Sequence, residues 1–485
     1  MEGYASREAA LDILLEQETT GAFLKELFGR HTEGLQKQDR GLVREIALGV
    51  IRNLSLLDHN IHLYASRKPG RGALRAILRL TAYQLFFMDV PGFAAVNVGV
   101  ELAKHRESRH QGGFVNAVLK KMAAAGMQKV PGGGIRSLAV NYSHPEWLLK
   151  RWYRRLGGDG MLRALERNNQ EAPLWIRVNP AKAAPGTAKA APGTAKATPK
   201  TAKVAPKAGI EPAGAGEAAV EAVRAGLAAL GVETERDGYA RPYLRIVSRG
   251  GAEAALHSDL FAAGAFAFQD PAAWFIAELA DWSPGEALLD LCSAPGGKAA
   301  CLTERAGYLG RPAAGPAVCN DVSFRRLRRI GDAIHRLGHG NLLPVVMDAS
   351  RPALRAGFPL VVVDAPCSNL GVLRRRPEAR WSHSPADLDR LAQAQGGLLD
   401  QASALAAPSG RILYATCSPE EEETWSVVEA FLARHREWRL ADAGERLPAW
   451  AVKRGCLWLH PGESEYDGFF AARLERGAAP LPEAT

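Results

Sequence analysis

No apolar run in the sequence approaches the roughly 18–20 residues that a membrane-spanning helix needs. The first thirty residues also lack a signal-peptide profile. We therefore expect a cytoplasmic protein with no membrane partner. The six cysteines form no CxxC pair and join no histidine cluster, which argues against a zinc site and against a disulfide framework. Reduced thiols and no bound metal are the expectation.

Two common phosphate-binding signatures are missing from the Pro-Gly-Gly-Lys turn. The stretch Leu288-Leu-Asp-Leu-Cys-Ser-Ala-Pro-Gly-Gly-Lys298 matches neither G-x-G-x-x-G nor G-x-x-x-x-G-K-[ST], so dinucleotide and nucleoside-triphosphate sites are disfavoured. The stretch predicts an apolar strand that ends in an acid, then a glycine turn that opens a helix. Such a turn lets backbone approach a ligand, and the helix N-terminus offers free N–H groups.

Chain length and net charge limit the number of domains and the class of partner only loosely. A chain of 485 residues is too long for one core and predicts two or three domains, and 47% hydrophobic residues allow sizeable cores. The net charge of +9 favours a polyanionic partner such as nucleic acid. Many soluble proteins are equally basic, so charge alone does not decide whether this chain binds nucleic acid.

The first quarter of the chain predicts helices throughout. Between residues 4 and 125, apolar residues recur at helical spacing, for example at Leu42, Ile46 and Val50, and no alternating strand pattern appears. We predict an all-α bundle over residues 1–128. A run of three glycines at 132–134 marks a linker to the next part of the chain.

Residues 140–260 predict a small α+β subdomain that contains an insert. Strand patterns at Leu174–Val178 and Tyr243–Val247 flank a helical pattern at Glu217–Leu230. Between them, residues 181–209 repeat the motif KAAPGTA, carry six lysines and contain no acid. Burial of these few apolar side chains cannot offset the conformational entropy lost on ordering. The composition therefore predicts disorder. A tolerated loop expansion and a tether that touches RNA phosphates both fit this composition.

Alternating strand and helix patterns fill residues 261–477. This alternation predicts a mostly parallel, doubly wound α/β sheet of the Rossmann-like kind. The strands are predicted at Leu288–Leu291, Ala317–Asn320, Leu342–Val346, Leu360–Val363 and Arg411–Tyr414, with a closing strand at Phe469–Leu474. Three of the strands end in an acid, at Asp321, Asp348 and Asp364. A helix N-cap explains any one of these acids, whereas three beside one glycine turn indicate a ligand site.

Two of the predicted strands lead into a cysteine–serine turn. Asp364-Ala-Pro-Cys367-Ser follows one strand, and Thr416-Cys417-Ser-Pro follows another. Ligands of open α/β sheets bind beyond the carboxyl ends of the strands, so both thiols are expected in one crevice. Two buried structural cysteines are the alternative, but a turn after a strand is a poor place to bury a thiol. The run Glu420–Glu423 is expected to cap the helix that follows Cys417.

The motifs DLCSAPGGK, DAPCSNLGVLRRRPEARW and YATCSPEEEE, in this order, closely resemble the RNA cytosine-5 methyltransferases of the Nop2/Sun/Fmu family. The resemblance covers roughly residues 140–475 apart from the insert, and possession of both cysteines marks the RNA branch. Upstream, QDRGLVREIALGVIRN, LRLTAYQLFFMDVP and GGFVNAVLKKM resemble the NusB-like RNA-binding domain, with ordinary bundle packing as the alternative. Fusion of the two parts resembles the 16S ribosomal RNA methyltransferase B (Sun) type.

The resemblance implies S-adenosylmethionine as the cofactor and assigns its site. The turn that would admit the methionine part consists of Cys292, Ser293, Ala294, Pro295, Gly296, Gly297 and Lys298. Asp321 fits the ribose hydroxyls, since an acid at about this distance plays that role in dinucleotide folds. By resemblance, Asp348 lies near the adenine, and Asp364 completes the cofactor site.

The resemblance also implies the chemistry. Carbon 5 of cytosine is too weakly nucleophilic to take a methyl group directly, and a thiolate added at carbon 6 activates it. By resemblance, Cys417 attacks and Cys367 serves release of the product. Asp364 would hydrogen-bond the base at N3 and its amino group, and Lys298 would supply positive charge that keeps a thiol ionised.

An RNA substrate is expected, because both halves of the chain resemble RNA-acting proteins. The target base must be unpaired or flipped into the pocket. The residues expected to contact its flanking phosphates are Arg374, Arg375, Arg376 and Arg380, with a solvated basic face as the alternative. The fused branch implies one cytosine in a hairpin (helix 31) of naked or early-assembly 16S rRNA, and we expect a monomer.

Two other functions remain open from the sequence. A tRNA cytosine-5 methyltransferase of the same family would carry the same motifs, and only the N-terminal domain argues against it. A non-catalytic RNA-binding factor for ribosome assembly or antitermination would have a vestigial methyltransferase domain. Loss of either cysteine or of the glycine turn would favour that factor, and all are present.

Overall fold

The computed structural model describes residues 3–183, 214–283, 285–311 and 315–477. The insert predicted at residues 181–209 lies outside these ranges except for its first three positions. The chain divides into two compact units, Met1–Glu171 with Val372–Pro385, and Ala172–Gly371 with Ala386–Thr485. The boundaries predicted near residues 128, 140, 260 and 477 stay predictions. Among the described residues, no helix combines the length and the apolarity that crossing a membrane requires.

The first unit is a helical bundle, as predicted. Its described helices before residue 171 are α1 (Tyr4–Thr20), α2 (Leu24–His31), α3 (Lys37–Arg52), α4 (Leu54–Tyr64), α5 (Ala73–Phe87), α6 (Gly92–Arg106), α7 (Arg109–Ala125), α8 (Ile135–Asn141) and α9 (Glu146–Asn169). The amphipathic spacing explains the packing, because Ile46 and Val50 of α3 are fully buried in one core with Leu11 of α1.

The second unit begins with a small antiparallel sheet. Its elements are β1 (Leu174–Val178), α10 (Gly214–Ala228), β2 (Thr234–Arg236), β3 (Tyr243–Ile246), α11 (Gly251–Leu256), α12 (Asp259–Ala262) and β4 (Phe266–Phe268). The strands lie in the order β2-β3-β1-β4, and each neighbouring pair is antiparallel. The predicted small α+β part is therefore present.

A large sheet with flanking helices forms the rest of the second unit. Its elements are α13 (Ala272–Ala280), β5 (Leu288–Asp290), α14 (Gly297–Tyr308), β6 (Ala317–Asp321), α15 (Phe324–Leu337), β7 (Leu342–Val346), β8 (Phe358–Asp364), α16 (Ala379–Ser382, in the first unit), α17 (Pro385–Leu405), β9 (Ala406–Thr416), α18 (Trp425–Arg434), β10 (Trp438–Ala441), β11 (Val452–Lys453), β12 (Cys456–Leu459) and β13 (Phe469–Arg476). The sheet order is β11-β12-β13-β9-β8-β5-β6-β7, and β10 also pairs with β13.

The parallel part of this sheet positions the site. Strands β7, β6, β5, β8 and β9 are parallel neighbours, and β13 closes the set antiparallel to β9. The run Val361–Val363 in β8 is fully buried, as expected for a strand covered on both faces. The strand order reverses at β5, with β6 on one side and β8 on the other. Ligands of doubly wound sheets bind at such a reversal, outside the carboxyl ends of the strands.

Candidate active site

The strand order arranges the candidate residues in a row along one edge of the sheet. Asp348 follows β7, Asp321 ends β6, the turn 292–298 follows β5, Asp364 ends β8 and Cys417 follows β9. The strands lie in the order β7-β6-β5-β8-β9, so the acids expected to bind the nucleoside lie on one side of the glycine turn. The cysteines lie on the other side.

The two cysteine turns bring their sulfur atoms together. Cys367 Sγ lies 3.0 Å from Cys417 Sγ, and both residues are partly exposed. Cys417 Sγ also lies 3.3 Å from Asn369 Oδ1, and Asn369 Nδ2 donates to the carbonyl of Cys367 (2.9 Å). The hydrogen bond to Cys417, then burial, raises the pKa of the Cys367 thiol well above its ordinary value.

Gly371 allows this close approach. Its N–H donates to the carbonyl of Cys417 (2.9 Å), and its own carbonyl accepts from the N–H of Gly468 (2.8 Å). A Cβ at Gly371 would lie 2.3 Å from the Gly468 oxygen and 2.7 Å from the Cys417 oxygen. Only glycine therefore fits where the segment after Cys367 crosses the Cys417 turn.

Lys298 forms a partly buried ion pair with Asp364. Lys298 Nζ donates to Asp364 Oδ2 (2.6 Å) and lies 4.9 Å from the centre of the Phe469 ring. Burial acts to lower the pKa of Lys298, but the carboxylate of Asp364 outweighs it, so the net pKa is raised. The negative thiolate form of Cys417 also favours the charged lysine. The ion pair thus holds a positive charge at the end of β8, the strand next to the one that leads to Cys417.

The turn after β5 has the shape that a cofactor backbone contact needs. Gly296 has φ of +91°, and a Cβ there would lie 3.0 Å from Ile330. Gly297 then begins the twelve-residue helix α14. The N–H groups at the start of this helix have no partner within the helix, so they are available to a ligand at the glycine turn. At the base of the turn, burial, and then the charge of Asp364, raise the pKa of Asp290 to about 7. Burial also raises the pKa of the Cys292 thiol.

Asp321 has an oxygen suited to a ribose. It is buried, and Oδ1 accepts from the Ser323 N–H (2.8 Å) and from Arg326 (2.9 Å). Among the described residues, these contacts leave Oδ2 to accept from a hydroxyl. Asp348 is exposed, and its pKa is lowered by the hydrogen bond from the Ser350 N–H (2.8 Å). The glycine turn and Asp321 together fit S-adenosylmethionine.

A buried network behind the glycine turn was not anticipated from the sequence. Arg177 of β1 is fully buried and donates to both oxygens of Glu304 on α14 (2.5 and 2.9 Å). Arg177 Nη1 (3.2 Å) and Gln269 Nε2 (2.9 Å) both donate to the carbonyl of Gly297. His339 lies 2.8 Å from Glu304. The small sheet therefore contacts the glycine turn directly. The one sign of this network in the sequence is an arginine, Arg177, inside the apolar strand LWIRV.

The capping role expected for the acidic run is wrong for Glu423. This residue is fully buried, and its carboxylate accepts from the N–H (2.8 Å) and hydroxyl (2.5 Å) of Ser368, the residue after Cys367. Nothing in a run of four glutamates marks the last one as buried. Only the folded chain shows that Glu423 supports the Cys367 turn.

The arginines expected to bind phosphate have different surroundings, and all four lie in the first unit. Arg380 is fully buried and donates to the carbonyls of Ser143 (3.0 Å) and Asn168 (3.1 Å) and to Asn169 Oδ1 (2.8 Å). Full burial is incompatible with a phosphate contact, so Arg380 is corrected to a packing residue of the first unit.

The other three arginines differ in exposure. Arg374 is buried too, which also removes its guanidinium from a phosphate. Arg375 is half-buried and Arg376 is exposed, with its guanidinium 5.1 Å from the Phe23 ring centre. Phosphate contact stays a proposal for these two residues.

Three family models match consecutive parts of the chain. The NusB family matches residues 4–124, the RsmF/B-like ferredoxin-like domain matches residues 144–208, and 16S rRNA methyltransferase RsmB/F matches residues 277–475. The matches confirm the resemblance that the cysteine and glycine-turn motifs indicated. The NusB match likewise confirms the resemblance of the helical N-terminal part.

Relatives match over nearly the whole length. The probable ribosomal RNA small subunit methyltransferase B of Synechocystis is 30% identical over 456 residues, covering 91% of this chain and 92% of that protein. The protein of the same description from Bacillus subtilis is 27% identical and covers 97% and 98%. The crystal structure of PH0851 shares the fold, with a TM-score of 0.74, 24% identity, and coverage of 98% of this chain and 99% of that one.

Proposed function

We propose a reaction for this chain on the premise that it belongs to the family of 16S rRNA methyltransferases RsmB/F. It is an S-adenosylmethionine-dependent rRNA methyltransferase. We assign the methyl group to carbon 5 of a cytosine in 16S rRNA, by way of a covalent bond from Cys417 to carbon 6. The observation that carries this assignment is the pair of sulfur atoms 3.0 Å apart beyond two adjacent strands.

The first step uses Cys417 as the nucleophile. Its thiolate adds to carbon 6 of the base, and the electron pair of the C5–C6 double bond moves so that carbon 5 becomes nucleophilic. Lys298, held by its ion pair with Asp364, is the cation that we assign to the attack step. Asp364 accepts a hydrogen bond from the amino group of the base. The glycine turn and Asp321 would hold S-adenosylmethionine, whose methyl group would be attacked by carbon 5 as its S–CH3 bond breaks and S-adenosylhomocysteine leaves.

The second step releases the product. Carbon 5 loses its proton, and the electron pair of that C–H bond re-forms the C5–C6 double bond. The sulfur of Cys417 leaves with the electron pair of the C6–S bond. We assign this step to Cys367, because its thiol lies beside the attacking sulfur: Cys367 gives its S–H proton to the departing Cys417 sulfur and takes the proton from carbon 5. Its raised pKa keeps Cys367 a neutral thiol, which can donate that proton.

Removing each cysteine separately tests these roles. Cys417→Ala should bind cofactor normally and lose methyl transfer, because no bond to carbon 6 forms. Cys367→Ala should transfer the methyl group and remain attached to the RNA, so denaturing electrophoresis should show an RNA–protein adduct. The double variant should give none. Cys456→Ala is the matched control, since this buried cysteine of β12 should leave turnover unchanged and trap no adduct.

Other outcomes separate the alternatives. Adduct in Cys417→Ala would mean that the two roles are exchanged. A less stable Cys367→Ala protein with reduced activity and no adduct would mean that Cys367 is structural. Bisulfite mapping of 16S rRNA from a strain that lacks the protein should show the loss of one 5-methylcytosine. An unchanged methylation pattern would refute the assignment of a 16S rRNA cytosine as the target.

A further inference from the structure

A buried carboxylate lies beneath the two cysteine turns. Glu423 belongs to the short 3-10 turn Glu421–Glu423 and is fully buried. Its Oε1 accepts from the Ser368 N–H (2.8 Å) and from Gln395 Nε2 (3.1 Å), and its Oε2 accepts from the Ser368 hydroxyl (2.5 Å). Three donors therefore satisfy one carboxylate, as a buried charge requires.

The same carboxylate is connected to the second cysteine turn. Ser368 Oγ lies 3.1 Å from Ser418 Oγ, and Ser418 Oγ accepts from the Glu420 N–H (3.2 Å). Ser368 follows Cys367 directly, and Ser418 follows Cys417 directly. The Ser368 hydroxyl thus links Glu423 to Ser418, so the residues that follow the two cysteines belong to one hydrogen-bonded group.

Side chains of α17 and β9 also hold Glu423 in place. Gln395 of α17 is fully buried and also donates to the carbonyl of Pro366 (3.0 Å), one residue before Cys367. The hydroxyl of Tyr414 in β9 lies 3.0 Å from Gln395 Oε1 and 2.7 Å from the Glu423 carbonyl. These contacts hold the residues on both sides of Cys367, so its side chain has little freedom to turn away from Cys417.

We infer that Glu423 is a positioning residue for product release, which holds the Cys367 thiol against Cys417 through Ser368. The inference rests on the proposed function. A neutral side chain of similar size would fill this space with a smaller desolvation penalty than an ion, so stability alone does not explain a carboxylate here.

The test compares two glutamates of the same turn. Glu423→Gln keeps the size of the side chain but removes the charge and one acceptor for Ser368. It should bind S-adenosylmethionine as the wild type does and transfer one methyl group. Product release should slow on the order of 10–100-fold, as for a displaced catalytic group, so RNA–protein adduct should accumulate. Glu421→Gln is the matched control, because Glu421 pairs with Arg454 at the surface and should release product normally.

A second variant keeps the inference testable if Glu423→Gln does not fold. Ser368→Ala removes only the hydroxyl and leaves the N–H bond to Glu423, so it should slow release in the same direction by a smaller factor. A purely structural role predicts that melting temperature, cofactor binding and turnover all fall together, with no adduct. That result, or unchanged turnover in both variants, would overturn the inference.

Cys367→Ala, measured in parallel, separates this inference from the proposed function. If Cys367→Ala traps adduct while Glu423→Gln and Ser368→Ala release normally, the proposed function stands and the inference fails. If Cys367→Ala traps none, the release step itself is misassigned, and the inference fails with it. Adduct in both Cys367→Ala and Glu423→Gln is the expected result.

Discussion

Asp290 and Lys298 show how burial changes the charge of single residues in this site. Lys298 has Asp364 as a counter-ion at 2.6 Å and keeps its charge despite burial. Asp290 ends β5 in full burial, and the nearby negative charge of Asp364 adds to the effect of burial. The pKa of Asp290 is therefore raised to about 7. The protonation of one carboxyl group below the cofactor turn thus changes close to neutral pH.

This shift predicts a pH-dependent stability. The pKa of Asp290 is about 7 in the folded chain, against about 3.9 for an ordinary aspartate. Between these values the folded state binds more protons than the unfolded state, so the contribution of Asp290 to stability falls as pH rises. Asp290→Asn should remove this loss. Its melting temperature relative to the wild type should rise between about pH 4 and pH 7 and then level off.

The control for this prediction is an exposed aspartate at the same edge of the sheet. Asp348 has a lowered pKa, so above about pH 5 its carboxylate is ionised in both the folded and the unfolded state. Asp348→Asn should therefore shift the melting temperature by a constant amount between about pH 5 and pH 7. A melting difference for Asp290→Asn that does not change with pH would contradict the raised pKa.

At the scale of elements, the small sheet and the cofactor turn act as one assembly. Arg177 of β1 and Gln269, one residue after β4, both hold the carbonyl of Gly297 at the start of α14. Gln269 Oε1 also accepts from Arg177 and from the hydroxyl of Tyr243 in β3 (2.9 Å). The Gln269 side chain, with both a donor and an acceptor, therefore connects two strands of the small sheet to the glycine turn.

Gln269→Ala should weaken cofactor binding and also destabilise the fold. It removes a donor to Gly297 and leaves part of the buried Arg177 guanidinium unpaired, at a cost of about 1–3 kcal/mol. Calorimetric titration with S-adenosylmethionine should show a several-fold lower affinity in protein that is still folded at the assay temperature. Asp321→Ala serves as the positive control, because it removes the carboxylate assigned to the ribose.

Arg245→Ala is the matched negative control for this prediction. Arg245 lies on the same small sheet, but its ion pair with Glu235 is at the surface. Exposed pairs contribute about 0–1 kcal/mol, so neither affinity nor stability should change measurably. Unchanged affinity in Gln269→Ala would mean that Arg177 alone is sufficient to hold the turn.

At the scale of the whole molecule, the net charge of +9 matters through the positions of its cations. Arg376 is exposed, whereas Arg380, four residues later, is fully buried among backbone carbonyls. Burial, and then the charge of Arg52, lower the pKa of Arg380 to about 9. Two arginines from one basic stretch therefore differ in surroundings: Arg376 is exposed and stays a proposed RNA contact, whereas Arg380 packs inside the first unit.

The salt dependence of RNA binding should distinguish these two arginines. If Arg376 contacts a phosphate, Arg376→Ala should reduce the slope of log K against log salt concentration by roughly one. Arg380→Lys should leave the slope unchanged and lower the melting temperature, because lysine cannot donate to the same set of acceptors. A reduced slope in folded Arg380→Lys would show that this arginine does reach RNA.

The sequence by itself determined the fold class, the cofactor and the reaction class. Helical spacing, apolar strands and the glycine turn are local patterns in the sequence. Because the apolar faces of the helices and strands must be buried, only a few layer architectures are possible. The order PGGK, DAPCS, TCS was enough to place both cysteines and the residues assigned to the cofactor at strand ends. Predicted strands differ from the observed ones mainly at their ends, as β9 shows by extending from Ala406 to Thr416.

Only the tertiary structure decided which side chains support the site. Glu423 and Arg380 look like surface charges in the sequence, because each belongs to a charged run. Both are buried because partners distant in the chain satisfy them, Ser368 for Glu423 and Ser143 for Arg380. Burial of a charge depends on donors and acceptors that arrive from other elements, and no local pattern contains that information.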